Sequence, residues 1–229
     1  MGQVWLELLF AHWSLPVAAL ESLVPPELPI DTYEGRAWIG LVPFLLEGLH
    51  LRGTPPVPGL SSFAEINVRT YVTVNDRPGV HFFSLDAASW PAVIGARSTY
   101  RLPYFRARID AGRQGETRLY RSKRIASRGA AAAFAAEYGP VGEPLPVVDG
   151  SLERWLAERY CLYTLDRRRR IYRGEIHHQP WPLQNAWADI AENTMTAPLG
   201  LDLPGEPLLH FSARQDALLW PIRRVTYAR

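Results

Sequence analysis

The sequence predicts an α+β, mostly β fold in one domain spanning residues 1–229. Three observations carry that expectation. Twenty prolines and 17 glycines punctuate the chain throughout, which favours many short strands joined by turns. Residues 63–74, FAEINVRTYVTV, alternate at period two as a half-buried strand does. Helical signals are few and short. A chain of 229 residues that is 47% hydrophobic and 21% charged has the make-up of a soluble globular protein. No composition shift marks a domain boundary and no internal repeat is present.

The elements follow in order. VWLELLFAHW at 4–13 is bulky and β-prone enough for a first strand. Pro16 to Val24 reads as a helix that Pro25 and Pro26 stop. Leu28–Tyr33 and Arg36–Leu46 read as strands around a hairpin turn at Glu34-Gly35. The Pro/Gly stretch at 53–61 is a loop. Phe63–Val74 and Val80–Leu85 are strands, and Ala87–Tyr100 is a helix. Tyr104–Ile109 and Thr117–Ile125 are strands around a turn at Gly112–Gly115. The alanine tract Ala130–Ala136 has helical propensity, but its strand-like neighbours favour a strand. Ser151 caps a short helix. Strands at 160–166, 171–178, 184–191 and 208–222 complete the reading.

Composition excludes several functions. The net charge is +2, and Lys123 is the only lysine among 25 basic residues. Arginine suits bidentate anion contacts but cannot act as an amine nucleophile. The dense run Arg167–Arg170 reads as a solvated hairpin turn, so no nucleic-acid face is expected. One cysteine excludes an intrachain disulfide and a cysteine-cluster zinc site. The opening residues lack the basic region of a signal peptide, and Leu6 breaks a myristoylation pattern. No apolar run approaches the roughly 20 residues of a spanning helix. The expected location is cytoplasmic, with no membrane partner.

Few residues stand out chemically. Phe63, Glu65, Asn67, Arg69 and Tyr71 share one face of a strand, opposite Ala64, Ile66, Val68, Thr70 and Val72. The polar face is either a ligand-binding wall or a solvated outer surface, and strand spacing alone favours the latter. His177 and His178 point to opposite faces of a strand and cannot chelate one metal, and no metal site or cofactor is expected. Cys161 reads as a small buried residue. No GxSxG, P-loop or GxGxxG motif is present.

Several segments together resemble the YqjF-like, or DUF2071, family of uncharacterised proteins. They include LFAHWSLP at 9–16, LVPPELPIDTYEGRAWIGLVPF at 23–44 and FAEINVRTYV at 63–72. GARSTYRLPYF at 95–105, GSLERWLAERYCLYT at 150–164 and EIHHQPWPL at 175–183 extend the match over nearly the whole chain. A more distant order of motifs is similar to acetoacetate decarboxylase. It runs Phe63-Ala64-Glu65, Ser84-Leu85-Asp86, Ala96-Arg97-Ser98 and Pro103-Tyr104-Phe105. The resemblance implies an antiparallel sheet coiled into a cone-shaped barrel around a pocket, with short peripheral helices.

The departures from that pattern concern the chemistry. Tyr104 and Phe105 stand where the decarboxylase pattern has two lysines, and neither can form an imine. Ser98 replaces the glutamate after Arg97. The leading expectation is a pocket that binds a small polar or acidic ligand without a Schiff base. Its candidate residues are Glu65, Asn67, Arg69, Arg97, Ser98 and Tyr104, with Arg97 on an anionic group. A second expectation is a decarboxylase-like or aldolase-like lyase using Lys123, which shares a strand face with Leu119, Arg121 and Ile125. A third is a non-enzymatic, homo-oligomeric interaction module built on the eight Trp, ten Tyr and eight Phe residues.

Overall fold

The computed structural model describes residues 1–125, 129–146 and 148–226. Strands dominate it. They are β1 (Gly2–Leu15), β2 (Ala37–His50), β3 (Phe63–Val74), β4 (Arg77–Ala87), β5 (Tyr104–Gln114) and β6 (Thr117–Arg124). Then come β7 (Ala133–Val141), β8 (Cys161–Leu165), β9 (Ile171–His178), β10 (Gln184–Asn193), β11 (Leu208–Leu219) and β12 (Arg223–Arg224). Three short α-helices interrupt them: α1 (Ala18–Glu21), α2 (Trp90–Thr99) and α3 (Leu152–Ala157).

All twelve strands form one sheet in the order β12-β9-β8-β4-β3-β2-β1-β11-β10-β7-β6-β5. Two further pairings, β4 with β5 and β9 with β11, close it on itself. Closure removes exposed edges, which is how β structure avoids unpaired backbone groups. The closures share strands. One free edge of β4 pairs with β8 at Val80–His81 and with β5 at Leu85–Ala87. Likewise β11 meets β10 at His210–Phe211 and β9 at Ala217–Leu219. The sheet therefore forks into two rings. One runs β4-β3-β2-β1-β11-β10-β7-β6-β5, and the other runs β4-β3-β2-β1-β11-β9-β8.

The shared strands are buried on both faces. Ile66 and Val68 are fully buried in the main apolar core with Leu9, Phe134, Tyr138 and Phe211. On the opposite face of β3, Glu65 and Asn67 are buried as well. This corrects the expectation from strand spacing: the Glu65–Asn67–Arg69 face is an inner wall, not a solvated surface. Each ring covers one face of the same strand.

Two irregularities set which side chains look inward. Glu7 has a positive φ of 57°, and the β1–β2 register shifts by one residue between Leu6 and Ala11. Such a bulge re-phases the strand. Trp5, Leu8 and Phe10 consequently all pack on the second-ring side, although Trp5 and Leu8 differ in parity. A similar shift on the β3–β4 seam lies between Val68 and Arg69.

Most predicted elements form, with instructive differences. Glu34 and Gly35 make a tight turn with φ of 49° and 73°, flanked by a Tyr33–Arg36 bridge. Leu28–Tyr33 is not a strand. Pro25, Pro26 and Pro29 remove backbone donors, and the segment makes only two isolated bridges, Ile30 to Val72 and Tyr33 to Arg36. The expected helix from Pro16 to Val24 shrinks to the single turn of α1. Helix α2 starts later than expected because β4 continues to Ala87, opposite Glu65, and Ser89 caps the helix by accepting from Ala92 N. Strand β5 continues to Gln114, which moves its turn to Gly115 and Glu116. The alanine tract is β7 from Ala133 onward. Residues 126–128 lie outside the described residues.

A buried ion pair ties the fork together. Arg124 on β6 donates from Nε and Nη2 to Oδ2 and Oδ1 of Asp86 on β4, both at 2.7 Å. Asp86 is fully buried, and the Arg124 guanidinium lies 4.0 Å from the Phe105 ring centroid. Removing one partner leaves an uncompensated buried charge, which costs about 3–5 kcal/mol, whereas replacing both with apolar groups costs far less. Asp86→Leu alone should therefore lower the unfolding free energy by that amount in urea, and adding Arg124→Met should restore much of it. A single substitution costing under about 1 kcal/mol would contradict the clasp.

Candidate functional site

The second ring encloses a cavity of about 90 Å³. Strand β3 supplies its polar wall. Glu65, Asn67 and Arg69 project into it at period two, beside Val42 and Phe44 of β2. Gln3, Trp5 and Leu8 of β1 and Val80, Phe82 and Leu85 of β4 flank them. Tyr104 enters from the start of β5, Arg159 follows α3, and His178 and Trp181 close the far side. Trp5 and Trp181 stack at 5.8 Å, so the cavity is aromatic on that side.

One corner is acidic. The Tyr104 hydroxyl donates to Glu65 Oε2 at 3.0 Å. Burial raises the Glu65 pKa to about 8; the Tyr104 hydrogen bond works against this and the nearby Asp86 carboxyl adds to it. Glu65 is therefore a neutral carboxylic acid at pH 7. Burial, then the Glu65 carboxyl, pushes the Tyr104 hydroxyl well above its usual range. The backbone around Tyr104 is fixed from outside: Leu85 N donates to Pro103 O at 3.0 Å, and Arg97 Nε donates to Tyr104 O at 2.7 Å.

The opposite corner is cationic. Arg159 donates from Nη1 to Asp31 at 2.6 Å and from Nε to Trp155 O at 2.6 Å. Its guanidinium lies 4.2 Å from the Trp155 ring centroid and 4.9 Å from that of Tyr71. Arg69 sits over Phe10 at 5.5 Å and Tyr71 at 5.8 Å. Both cations keep a buried nitrogen without a partner, Nη2 of Arg159 and Nε of Arg69, and Asn67 Oδ1 is also unpartnered. A buried polar atom left unsatisfied costs about 1–3 kcal/mol, and more for charged groups. With Trp181 Nε1, four such atoms belong to residues lining one cavity.

Behind this corner, His12 Nε2 and the Tyr71 hydroxyl share a 2.6 Å hydrogen bond. Burial, then Arg69 and His210, holds the His12 pKa well below the usual imidazole range, so the ring is neutral. Gly40 faces the pair across β2. A Cβ there would lie 2.9 Å from the His12 ring and 3.3 Å from the Tyr71 oxygen.

The structure brings Glu65, Asn67, Arg69 and Tyr104 together and leaves three other candidates out. Arg97 and Ser98 sit on the exposed side of α2, and the Ser98 hydroxyl bonds back to Ile94 O at 2.9 Å. Helical geometry turns both away from the ring, so the expected Arg97 contact with a pocket anion is corrected. Lys123 is exposed on β6 between Arg108 and Ala133. Strand parity places Ser122 and Arg124 inward and Lys123 outward, and no lysine lines the cavity. Lys123 is therefore exposed and lies outside the cavity lining.

Sequence reasoning missed His12, Tyr71 as a polar group, and Arg159. Arg159 lies just past the end of α3, where its Nε donates to Trp155 O four residues back and the side chain is buried. His12 continues the Leu8–Phe10 face of an otherwise apolar run. The two adjacent histidines do separate: His177 is exposed, and His178 lines the cavity with Nδ1 2.8 Å from Gln179 O. Among the described residues, no three His, Cys, Asp or Glu side chains are placed to hold a metal, and no helix is long and apolar enough to cross a membrane.

Comparisons with known proteins agree with this architecture. The chain superposes on MppR, an enduracididine biosynthesis enzyme, in its complex with pyruvate, with a TM-score of 0.68 at 12% identity, covering 97% of this chain and 89% of that one. It superposes on an acetoacetate decarboxylase from Legionella pneumophila with a TM-score of 0.64 at 12% identity, covering 99% and 88%. The uncharacterised protein YqjF of Bacillus subtilis is 47% identical over 225 residues, 98% of this chain and 92% of that protein. A model of the DUF2071 family of uncharacterised conserved proteins matches residues 2–216. The chain thus belongs to the DUF2071 family and has an acetoacetate decarboxylase-like fold.

Proposed function

We propose that the protein binds a small organic carboxylate in the second-ring cavity without forming a covalent bond to it. The observation that carries this reading is the pair of unpartnered guanidinium nitrogens, on Arg69 and Arg159, in a cavity that also holds a neutral acid. A carboxylate would satisfy both cations at once, and arginine suits that geometry. The neutral Glu65 would donate a hydrogen bond, or a proton, to a second oxygen of the ligand.

Size and composition narrow the ligand. The cavity is smaller than the roughly 150 Å³ apolar cavity that admits benzene. Aromatic walls favour a short apolar body behind the head group. The pyruvate complex of MppR supports a small oxo acid as the first ligand to try. Tyr104 in the decarboxylase lysine position supports hydrogen bonding in place of imine chemistry.

With benzoate as a control too large for the cavity, calorimetric titration with acetate, pyruvate and acetoacetate tests this. At least one should bind with 1:1 saturation, and Arg69→Ala or Arg159→Ala should weaken it by about 10- to 100-fold, the worth of a charged hydrogen bond. Absence of saturable binding across the panel would reject the reading. Affinity for the anion should hold up to about pH 8 and fall above it, because Glu65 then ionises and repels the ligand. Glu65→Gln should abolish that fall. Borohydride treatment with the same oxo acids should leave the intact mass unchanged, and an adduct mapped to Lys123 would favour the lyase alternative instead.

A further inference from the structure

A second cleft lies outside both rings, between the end of α2 and the β8–β9 turn, with an open volume of about 460 Å³. Five arginines line it: Arg97 and Arg101 from one side, and Arg167, Arg168 and Arg170 from the other. Asp166 is the one acid in the lining. The cleft therefore carries a charge of about +4, more than the +2 of the whole chain.

The acid is already used. Asp166 Oδ1 accepts from the amides of Arg168 and Arg170 at 2.9 and 3.0 Å, and Oδ2 accepts from Arg170 Nε at 2.6 Å. Those bonds also hold the turn in one shape. Arg101 is fixed too, stacked 4.5 Å from the Tyr172 ring centroid with Nη1 3.8 Å from Asp166. Arg97 uses Nε on the Tyr104 carbonyl, which leaves its two terminal nitrogens facing out. Arg167 and Arg168 are exposed, and among the described residues their side chains have no hydrogen bond or ion pair. Such an array repels itself, which a bound anion would relieve.

We propose that this cleft binds a phosphate-bearing small molecule, with the free guanidinium groups of Arg167 and Arg168 as its main contacts and Arg97 and Arg101 as fixed walls. Arginine pairs with phosphate oxygens bidentately, and several pre-positioned forks suit an ester or anhydride with more than one negative charge. The site is separate from the carboxylate cavity, though Leu102 lines both. A polynucleotide would need a longer positive track. Instead Glu27 neutralises Arg169 at the margin of the turn.

Inorganic pyrophosphate is the probe. Titrated into the full chain at about 50 mM and about 300 mM salt, it should bind 1:1 and saturably at both. The exposed double variant Arg167→Ala/Arg168→Ala should bind about tenfold more weakly or worse, with an unchanged thermal midpoint in the absence of the probe. Arg168→Glu alone should act in the same direction. Equal affinity in the double variant would overturn the assignment. So would weak, multi-site binding that disappears at the higher salt, the mark of diffuse counterion attraction. Single-stranded oligonucleotides that bind more tightly than pyrophosphate, and more tightly with length, would replace the small-molecule reading with a nucleic-acid one.

Discussion

Strand β3 is buried on both faces because two rings of one sheet share it. The rest of the site depends on that constraint. A strand with one face in water can carry Glu, Asn and Arg at no cost. A strand walled in on both sides cannot, and its polar residues must find partners or a ligand. Glu65 finds Tyr104, and the Arg124 clasp holds the neighbouring Asp86. Asn67 and Arg69 keep polar atoms without partners, and Arg159 arrives from α3 with another.

The cavity's chemistry follows from burial more than from any one motif. Desolvation favours the neutral form of every group it reaches. Glu65 is kept protonated, His12 is kept neutral, and Tyr104 is kept far from ionisation. Guanidinium groups resist the same pressure because their intrinsic pKa is so high, so the arginines alone remain charged. The outcome is a small, aromatic compartment with one neutral acid and two cations. Under the proposed function that arrangement takes an anionic head group, and no lysine lines the cavity.

Much of the fold was legible in the sequence. The β3 run was found from alternation alone, residue for residue. The Ser151 cap and the Glu34-Gly35 turn were readable from local chemistry, because each depends on two or three adjacent residues. What could not be read was long-range. Nothing in FAEINVRTYV says that a second ring covers the polar face. That fact comes from β8 and β9 pairing with β4 and β11 roughly 80 residues or less on either side. The bulge at Glu7 was equally hidden, since a glutamate gives no sign of a positive φ. Motif order points to Glu65 and Tyr104, which the structure brings into contact, and equally to Arg97, which acts from outside by holding the Tyr104 carbonyl. Arg159 lies two residues past the six-residue helix α3, beyond the reach of helical periodicity.

The central claim is that Glu65 stays protonated at neutral pH beside Tyr104. Carbon-detected NMR of the side-chain carboxyl groups, with Glu65→Gln used to assign the signal, measures it directly. The account predicts an inflection at about 8 for Glu65 in the wild-type protein. An inflection near the ordinary 4.5 of a glutamate would mean a solvated or ion-paired carboxylate. That result would contradict the buried, acid-bearing cavity on which the proposed function rests.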